Sequence, residues 1–284
     1  VVITNCSASS LANGVKLGTA TNAGFKNIVI SNIVLDDIAF AGIAVEIVDG
    51  GVLDGLNVSQ LVMRNVGAAL FVRLGDMGRQ WIDGVDRPKV GSMRNISISH
   101  IIAEEGVRDD GPLASSITGL PGFAVENITL SDIRITTTGA VPKTSGPIDF
   151  RAVPENPSGY PEYSMFGPLP ARGLYVRHAR GLTLRDVYFS SREEDHRSTL
   201  IFDDVRDLAI DGLAVRGLPR DVPVVLFNDV RQARILGARI ADAADVFLRV
   251  EGGSREIALS DNLLNPVTRP VVTASPAEPP VSLP

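Results

Sequence analysis

The chain has 284 residues, of which 44% are hydrophobic and 21% charged, a composition typical of a folded globular protein and not of a disordered one. Its 27 basic and 33 acidic residues give a net charge of −6, and no long basic run occurs, which disfavours nucleic acid as a general partner. A single cysteine, Cys6, excludes an internal disulfide framework and a cysteine-based zinc site, and no stretch approaches the roughly 20 apolar residues of a membrane span.

A short strand pattern recurs along the chain. It consists of a turn residue, two apolar positions in alternation, two polar or small residues, and two more apolar positions. The first clear copy is Asn27-Ile28-Val29-Ile30-Ser31-Asn32-Ile33-Val34-Leu35. Further copies begin at Gly55, Asn95, Asn127, Gly181 and Asp207, weaker ones near Ala233 and Ile257, and a truncated one at Val1. Where nothing interrupts them, the copies lie 24 to 28 residues apart.

A second alternating strand lies between the copies, over residues 15–17, 43–46, 70–73, 174–177, 200–203 and 225–228. Short strands at a fixed period, without a sustained helical stripe, predict an all-β fold. The architecture that fits best is a right-handed parallel β-helix, a solenoid in which stacked coils bury one aliphatic core. The alternative is a β-sandwich, which does not predict corner asparagines in register at one long period.

The period also predicts the domain organisation. We expect a single β-helix domain over residues 1–264 and a proline-rich tail over 265–284. Because the chain starts inside a strand pattern without a capping segment, we expect N-terminal coils to be missing. Three insertions lengthen the period, at 76–94, 104–121 and 136–170, and we expect loops there, one of which walls a cleft beside Lys16.

Several segments resemble glycoside hydrolase family 28, the polygalacturonases, over nearly the whole chain to about residue 215. The first is the strand Asn13-Gly14-Val15-Lys16-Leu17 with the turn Gly18-Thr19-Ala20-Thr21-Asn22-Ala23-Gly24-Phe25 that follows it. The others are Gly42-Ile43-Ala44-Val45-Glu46-Ile47-Val48-Asp49, Phe71-Val72-Arg73-Leu74-Gly75, Gly119-Leu120-Pro121-Gly122, Tyr160-Pro161-Glu162-Tyr163-Ser164-Met165-Phe166-Gly167 and Leu174-Tyr175-Val176-Arg177-His178.

The resemblance implies a secreted or periplasmic, monomeric enzyme that hydrolyses α-1,4-galacturonide or related pectic linkages with inversion. It implies an acidic polysaccharide as partner, with no cofactor, metal, nucleic acid or membrane. Family members carry their catalytic carboxylates in Asn-Thr-Asp and Asp-Asp motifs ahead of the lysine strand, and the 15 residues before Lys16 include no aspartate or histidine. We therefore assign no catalytic residue and expect this chain by itself to be inactive.

The candidate substrate-binding residues follow from the resemblance and from strand stacking. The family's lysine, which binds a uronate carboxylate, matches Lys16, whereas the arginine of that motif falls on Gly14. The other candidates lie on or beside the following strands: Glu46, Asp49, Arg73, Arg177 and His178. We expect Lys16, Glu46 and Arg73 to occupy adjacent coils on one exposed sheet. Each candidate also has a structural alternative, such as an ion pair between Lys16 and Glu46 or a solvated arginine at a strand end.

Other acidic and histidine clusters are assigned to turns or solvated surface: Asp109-Asp110, Asp203-Asp204, Glu193-Glu194-Asp195-His196 and His100. Two rival functions stay open at this point. A pectate lyase also uses a β-helix, but it needs a calcium site of clustered carboxylates. A non-catalytic carbohydrate-binding or adhesion β-helix is the other rival, since the expected catalytic carboxylates are absent from the chain.

Overall fold

The computed structural model describes residues 1–81, 83, 86–106, 114–139, 148–274 and 281–282. This part of the chain is almost entirely β-strand, with one short 3-10 helix at Phe150–Ala152. The strands are β1 (Val2–Ser10), β2 (Val15–Leu17), β3 (Phe25–Ile47), β4 (Val52–Leu74), β5 (Ser92–Glu105), β6 (Ser115–Thr118), β7 (Val125–Thr137), β8 (Ala171–Ser191), β9 (Ser198–Asp211), β10 (Ala214–Val215), β11 (Val225–Asn228), β12 (Arg231–Leu236), β13 (Arg239–Ile240), β14 (Ala244–Glu251), β15 (Arg255–Ser260), β16 (Val267–Thr273) and β17 (Val281–Ser282). The prediction of an all-β fold is confirmed.

The ladders between the named strands are all parallel, and each joins segments about one sequence period apart. A set of residues that lie directly opposite one another in successive strands is called a column below. The predicted apolar column is confirmed: Ile28, Leu56, Ile96, Ile128, Leu182 and Leu208 follow one another in register, and all are buried. Stacking therefore makes one continuous aliphatic core from strands that could not bury their apolar faces separately.

The corners of the repeat explain its asparagines. Asn27, Asn95 and Asn127 share one corner column and have φ values of 54°, 59° and 52°. The left-handed backbone region disfavours most side chains but tolerates asparagine and aspartate. His100 occupies an equivalent corner position with φ of 54°, so its predicted structural role is confirmed.

Residues 148–170 form a segment that we call the strap. It covers the outward side of the sheet that contains β2 and the strand segments stacked on it. Phe150, Val153 and Phe166 of the strap pack on Phe71 and Tyr175 in a second apolar cluster, separate from the inner core. The strap then leads directly into β8 at Ala171. It converts the outward sheet surface, which the sequence predicts to be exposed, into a second buried layer.

The insertions correct the sequence prediction in part. The described residues between 76 and 91 and the strap lie outside the strands, as predicted, whereas 92–94 belong to β5 and 136–137 to β7. The insertion at 104–121 is not a loop throughout, because Ser115–Thr118 forms β6, which fills a place between β4 and β8. Asp109 and Asp110 lie outside the described residues.

The segment assigned to a proline-rich tail, 265–284, contributes two strands. Val267–Thr273 pairs with β14, and Val281–Ser282 pairs with β15. A proline at position 270 is tolerated because β16 adds to the end of its ladder. Within the described ranges, no helix has the length and apolar character needed to cross a membrane.

Candidate functional site

Lys16 lies in the middle of β2 and points to the outward side, opposite Ala44 in β3. Its ammonium nitrogen is 3.1 Å from Oε1 of Glu46 and 3.8 Å from Oε2 of Glu162. The Lys16 side chain keeps 22% of its surface exposed. The lysine therefore stands between a carboxyl group of the sheet and one of the strap, and one side of it faces solvent.

Glu46 is fully buried beneath this lysine, which corrects the expectation of an exposed position. Burial raises the pKa of Glu46 to about 7, although the charge of Lys16 and its hydrogen bond oppose the rise. A Cβ atom at Gly18 would come within 2.8 Å of Oε2 of Glu46, so only glycine leaves room for this carboxyl group. Glu46 is therefore a buried partner that holds the Lys16 ammonium group in position.

The strap supplies the opposite wall. Oε1 of Glu162 accepts a hydrogen bond of 3.0 Å from Nδ2 of Asn13, whose own Oδ1 accepts from the backbone N–H of Ala41. The ring of Tyr160 lies 5.3 Å from the Lys16 nitrogen and is 55% exposed. One of the predicted insertions therefore lies beside Lys16, as expected.

The carboxylate of Asp49 binds side chains of the loop that follows β4. Its two carboxylate oxygens accept three side-chain hydrogen bonds from Arg79, at 2.7 to 3.1 Å, and one of 3.1 Å from Nε1 of Trp81. Burial raises the pKa of Asp49, but these hydrogen bonds outweigh it and place the pKa below its usual value. Asp49 therefore positions Arg79 and Trp81 instead of meeting a ligand itself.

Arg79 and Trp81 extend the polar surface around Lys16. The Arg79 guanidinium lies over the Trp81 ring, 4.9 Å from its centroid, and within electrostatic range of Tyr160 and Glu46. The Trp81 side chain is 56% exposed. The cations Lys16 and Arg79 thus lie near the exposed rings of Tyr160 and Trp81.

Arg73 follows Glu46 in the same column, as predicted, but it is buried under the strap. Its guanidinium donates to the backbone carbonyls of Gly119, Glu155 and Asn156 at 2.8 to 3.1 Å. Burial lowers the pKa of Arg73 to about 10, far above neutral pH, so the side chain stays charged. The prediction that Arg73 lies on an exposed sheet is wrong, because its donors hold the strap in place.

Arg177 and His178 lie further along the same side and are also engaged. Arg177 binds Glu155 at 2.8 Å and Asp203 at 3.0 Å, and it donates to the carbonyl of Val153 at 2.9 Å. His178 lies between two carboxylates, with Nδ1 2.7 Å from Asp204 and Nε2 3.1 Å from Glu155. Both side chains fasten the strap through Glu155 and are not brought to Lys16.

Sequence reasoning missed five residues around Lys16: Asn13, Arg79, Trp81, Tyr160 and Glu162. Tyr160 and Glu162 stand in one of the segments quoted for the resemblance, but nothing in the sequence indicated which strand they would meet. No group of three or more potential metal-binding side chains occurs in the part of the chain that is described.

Comparison with protein-family models, with curated proteins and with solved structures finds no match for this chain. The likeness of short segments to family 28 is therefore not accompanied by a family-model match. The functional proposal depends on those segments and on the geometry around Lys16.

Proposed function

We propose that the protein is a pectin-degrading glycoside hydrolase that cleaves α-1,4-galacturonide or a related pectic linkage with inversion, and that residues 1–284 bind a uronate unit at Lys16. The observation that carries the proposal is the partly exposed Lys16 ammonium beside the exposed ring of Tyr160. A lysine can hold a carboxylate by a charge-assisted hydrogen bond, and an aromatic face can pack on a sugar ring. Together these groups match a sugar that carries a carboxylate.

The strand pairing supports the finer architecture, a right-handed parallel β-helix. Parallel strands need a crossover between them, and here each ladder joins neighbouring copies of one repeat. The left-handed corner residues recur in register from one copy to the next. A solenoid of this kind supplies long, rigid rows of side chains on which a polysaccharide can lie.

The roles of the two carboxyl groups around Lys16 shape the proposal. Inverting hydrolysis needs an acid and a base about 6.5–9.5 Å apart with the glycosidic bond between them. Glu46 is buried, and both Glu46 and Glu162 are paired with Lys16. We assign both to holding the lysine and propose that the acid and base belong to the Asn-Thr-Asp and Asp-Asp motifs that family members carry ahead of the lysine strand; residues 1–15 contain neither motif.

A second candidate is a non-catalytic carbohydrate-binding protein, favoured by the same engagement of Glu46 and Glu162. Residues 1–284 and a longer chain that carries both motifs are compared for release of reducing ends from polygalacturonate. Release by the longer chain alone supports the hydrolase, and release by neither supports binding only. Hydrolysis by residues 1–284 would contradict our assignment of the acid and base, and an absorbing unsaturated product would indicate a lyase.

Lys16→Ala is expected to weaken trigalacturonate binding by about tenfold or more, because the variant loses the charged donor for the carboxylate. The measurement is isothermal titration calorimetry at pH 6 with residues 1–284. Lys26→Ala is the matched control, since Lys26 is an exposed lysine on β3 in a different column from Lys16. Equal affinities of the two variants, or equal binding of a neutral galactose oligomer, would contradict the role of Lys16.

The raised pKa of Glu46 predicts that binding depends on pH. Below about pH 7 Glu46 is protonated, so the negative charge around Lys16 falls and a uronate carboxylate, ionised throughout, meets less repulsion. We expect affinity for trigalacturonate to be higher at pH 6 than at pH 8. Glu46→Gln should abolish most of this difference, whereas Glu104→Gln, an exposed control, should leave it intact. An unchanged pH profile in Glu46→Gln would assign the dependence to another group.

A further inference from the structure

One outward column of the stack changes its charge pattern halfway along. In its first half the charges alternate: Lys26, Asp54, Arg94 and Glu126 follow one another in register. In its second half four arginines are stacked in consecutive strands: Arg180, Arg206, Arg231 and Arg255, which we call the arginine stripe. Neighbouring members are separated by one strand spacing, about 4.8 Å.

Opposite charges stabilise the alternating half of the column, whereas the arginine stripe has no such structural explanation. Arg94 binds Asp54 at 2.8 Å, so opposite charges stabilise adjacent strands there. Like charges directly opposite one another are destabilising. Arg180, Arg206 and Arg231 make no ion pair within the described part of the chain, and Arg255 reaches only its neighbour Glu256, at 3.8 Å.

The arginine side chains are open to solvent. Arg180, Arg206 and Arg255 are exposed and Arg231 is half-buried. Acidic residues flank the stripe, but two of them are engaged elsewhere: Asp204 binds His178, and Asp229 accepts the backbone N–H of Gly253 at 2.7 Å. The stripe therefore keeps guanidinium donors that the fold leaves unused.

A cavity of about 280 Å³ lies at one end of the stripe. Arg180 and Arg206 line it together with Phe123, His178, Glu126 and Asp204, and the Asp204 carboxylate is paired with His178. The Phe123 side chain is 46% exposed, although most large apolar residues in the described part of the chain are buried. An apolar ring next to two arginines suits the face of a sugar that carries a carboxylate.

We propose that the arginine stripe binds a linear polyuronate, with one sugar unit in the cavity at Phe123 and the chain continuing along Arg206, Arg231 and Arg255. One strand spacing is close to the length that a pyranose adds to an extended chain, so the chain can follow the stripe, and the carboxylates on the side that faces the protein can meet its arginines. In β8 the corner at His178 separates Tyr175, which the strap covers, from Arg180, where the stripe begins. The stripe is therefore on a different face of the stack from Lys16. The choice of a uronate polymer rests on the proposed function, whereas the stripe itself does not.

A uronate polymer fits the stripe better than a nucleic acid does. The protein carries a net charge of −6, and Asp207 and Glu256 stand at exposed corners beside the arginines. Nucleic-acid sites are broadly basic, because affinity comes largely from the dense phosphate charge. A single row of cations between acidic residues suits a thin chain with one charge per sugar.

Affinity electrophoresis of residues 1–284 in gels containing polygalacturonate tests the proposal. Arg206→Gln with Arg231→Gln is expected to weaken retardation by about tenfold or more, because two charged donors are lost. Arg64→Gln with Arg220→Gln is the matched control, since both arginines are exposed and paired away from the stripe and the charge change is the same. Affinity of the parent should fall as salt is raised.

The same gels separate this proposal from the one for Lys16. Lys16→Ala should still be retarded by the polymer while losing trigalacturonate binding. If the stripe variant is retarded as strongly as its control, the stripe proposal is wrong and the role of Lys16 is untouched. If oligo(dT) binds the parent as tightly as polygalacturonate does, the occupant is a nucleic acid and the uronate proposal is overturned.

Discussion

Asp195→Ala is expected to lower the free energy of unfolding by about 3–5 kcal/mol. Asp195 is fully buried and binds Arg197 through both oxygens, with Nε–Oδ1 at 2.8 Å and Nη2–Oδ2 at 2.6 Å. Arg197 also donates to the carbonyls of Leu169 and Ala171, where the strap enters β8. Removal of the carboxylate leaves a buried guanidinium without its two-oxygen partner, which is far more costly than loss of a surface pair.

Urea unfolding followed by circular dichroism measures this effect as a shift in the midpoint. Asp245→Ala is the matched control, because Asp245 forms an exposed pair with Arg220 and should cost about 0–1 kcal/mol. Replacement of both partners, Asp195→Leu with Arg197→Met, should recover much of the loss because no buried charge remains. If Asp195→Ala is as stable as the Asp245 control, the pair does not anchor the strap.

Stability is expected to decrease as the pH rises from 5 to 9, and Glu105→Gln is expected to remove a large part of that decrease, to which the raised pKa of Glu46 also contributes. Burial raises the pKa of Glu105 to about 8, against the opposing hydrogen bond from the backbone N–H of Ala69 and the charge of Arg197. The usual value is 4.5, so the folded protein holds a proton that the unfolded chain releases between these limits. The contribution of this group is complete below about pH 4.5 and is lost as the pH rises through 8, at a cost on the order of a few kcal/mol.

Unfolding midpoints at several pH values test this prediction. Glu105→Gln should match the parent near pH 5 and exceed its stability at pH 9, because a neutral amide has the shape of the protonated acid. Glu104→Gln is the control from the neighbouring position, where the exposed side chain pairs with Arg192. A Glu105→Gln profile that still falls with pH as steeply as that of the parent would show that Glu105 is ionised in the folded state.

The candidate site was predictable only in part. Lys16 was found because its strand and turn are a continuous segment that resembles a family motif. Tyr160 and Glu162 lie more than 140 residues further along the chain, and no local pattern specifies which strand the strap covers. Their contact with Lys16 depends on packing of Phe150, Val153 and Phe166 against the outward sheet side.

The arginine stripe had a signal that was overlooked. Each of its members stands two positions before the first apolar residue of its repeat copy, as Arg180 does before Leu182 and Arg206 before Leu208. Alignment of the copies by their apolar positions would have stacked the arginines. Register in a sheet with one buried face follows from the hydrophobic pattern, so the charges carried along with it are determined too.

The sequence by itself determined the strands, their inward columns and their corners. Alternation and left-handed backbone preferences are local properties, and each is repeated from Ile28 to Ile257. Only the tertiary structure decided what the outward side does. Glu46 and Arg73 have the pattern of exposed strand positions, but the strap buries both, and Arg73 donates to carbonyls 82 and 83 residues away. Burial of an outward face depends on which distant segment packs on it, and this long-range contact leaves no trace in local periodicity.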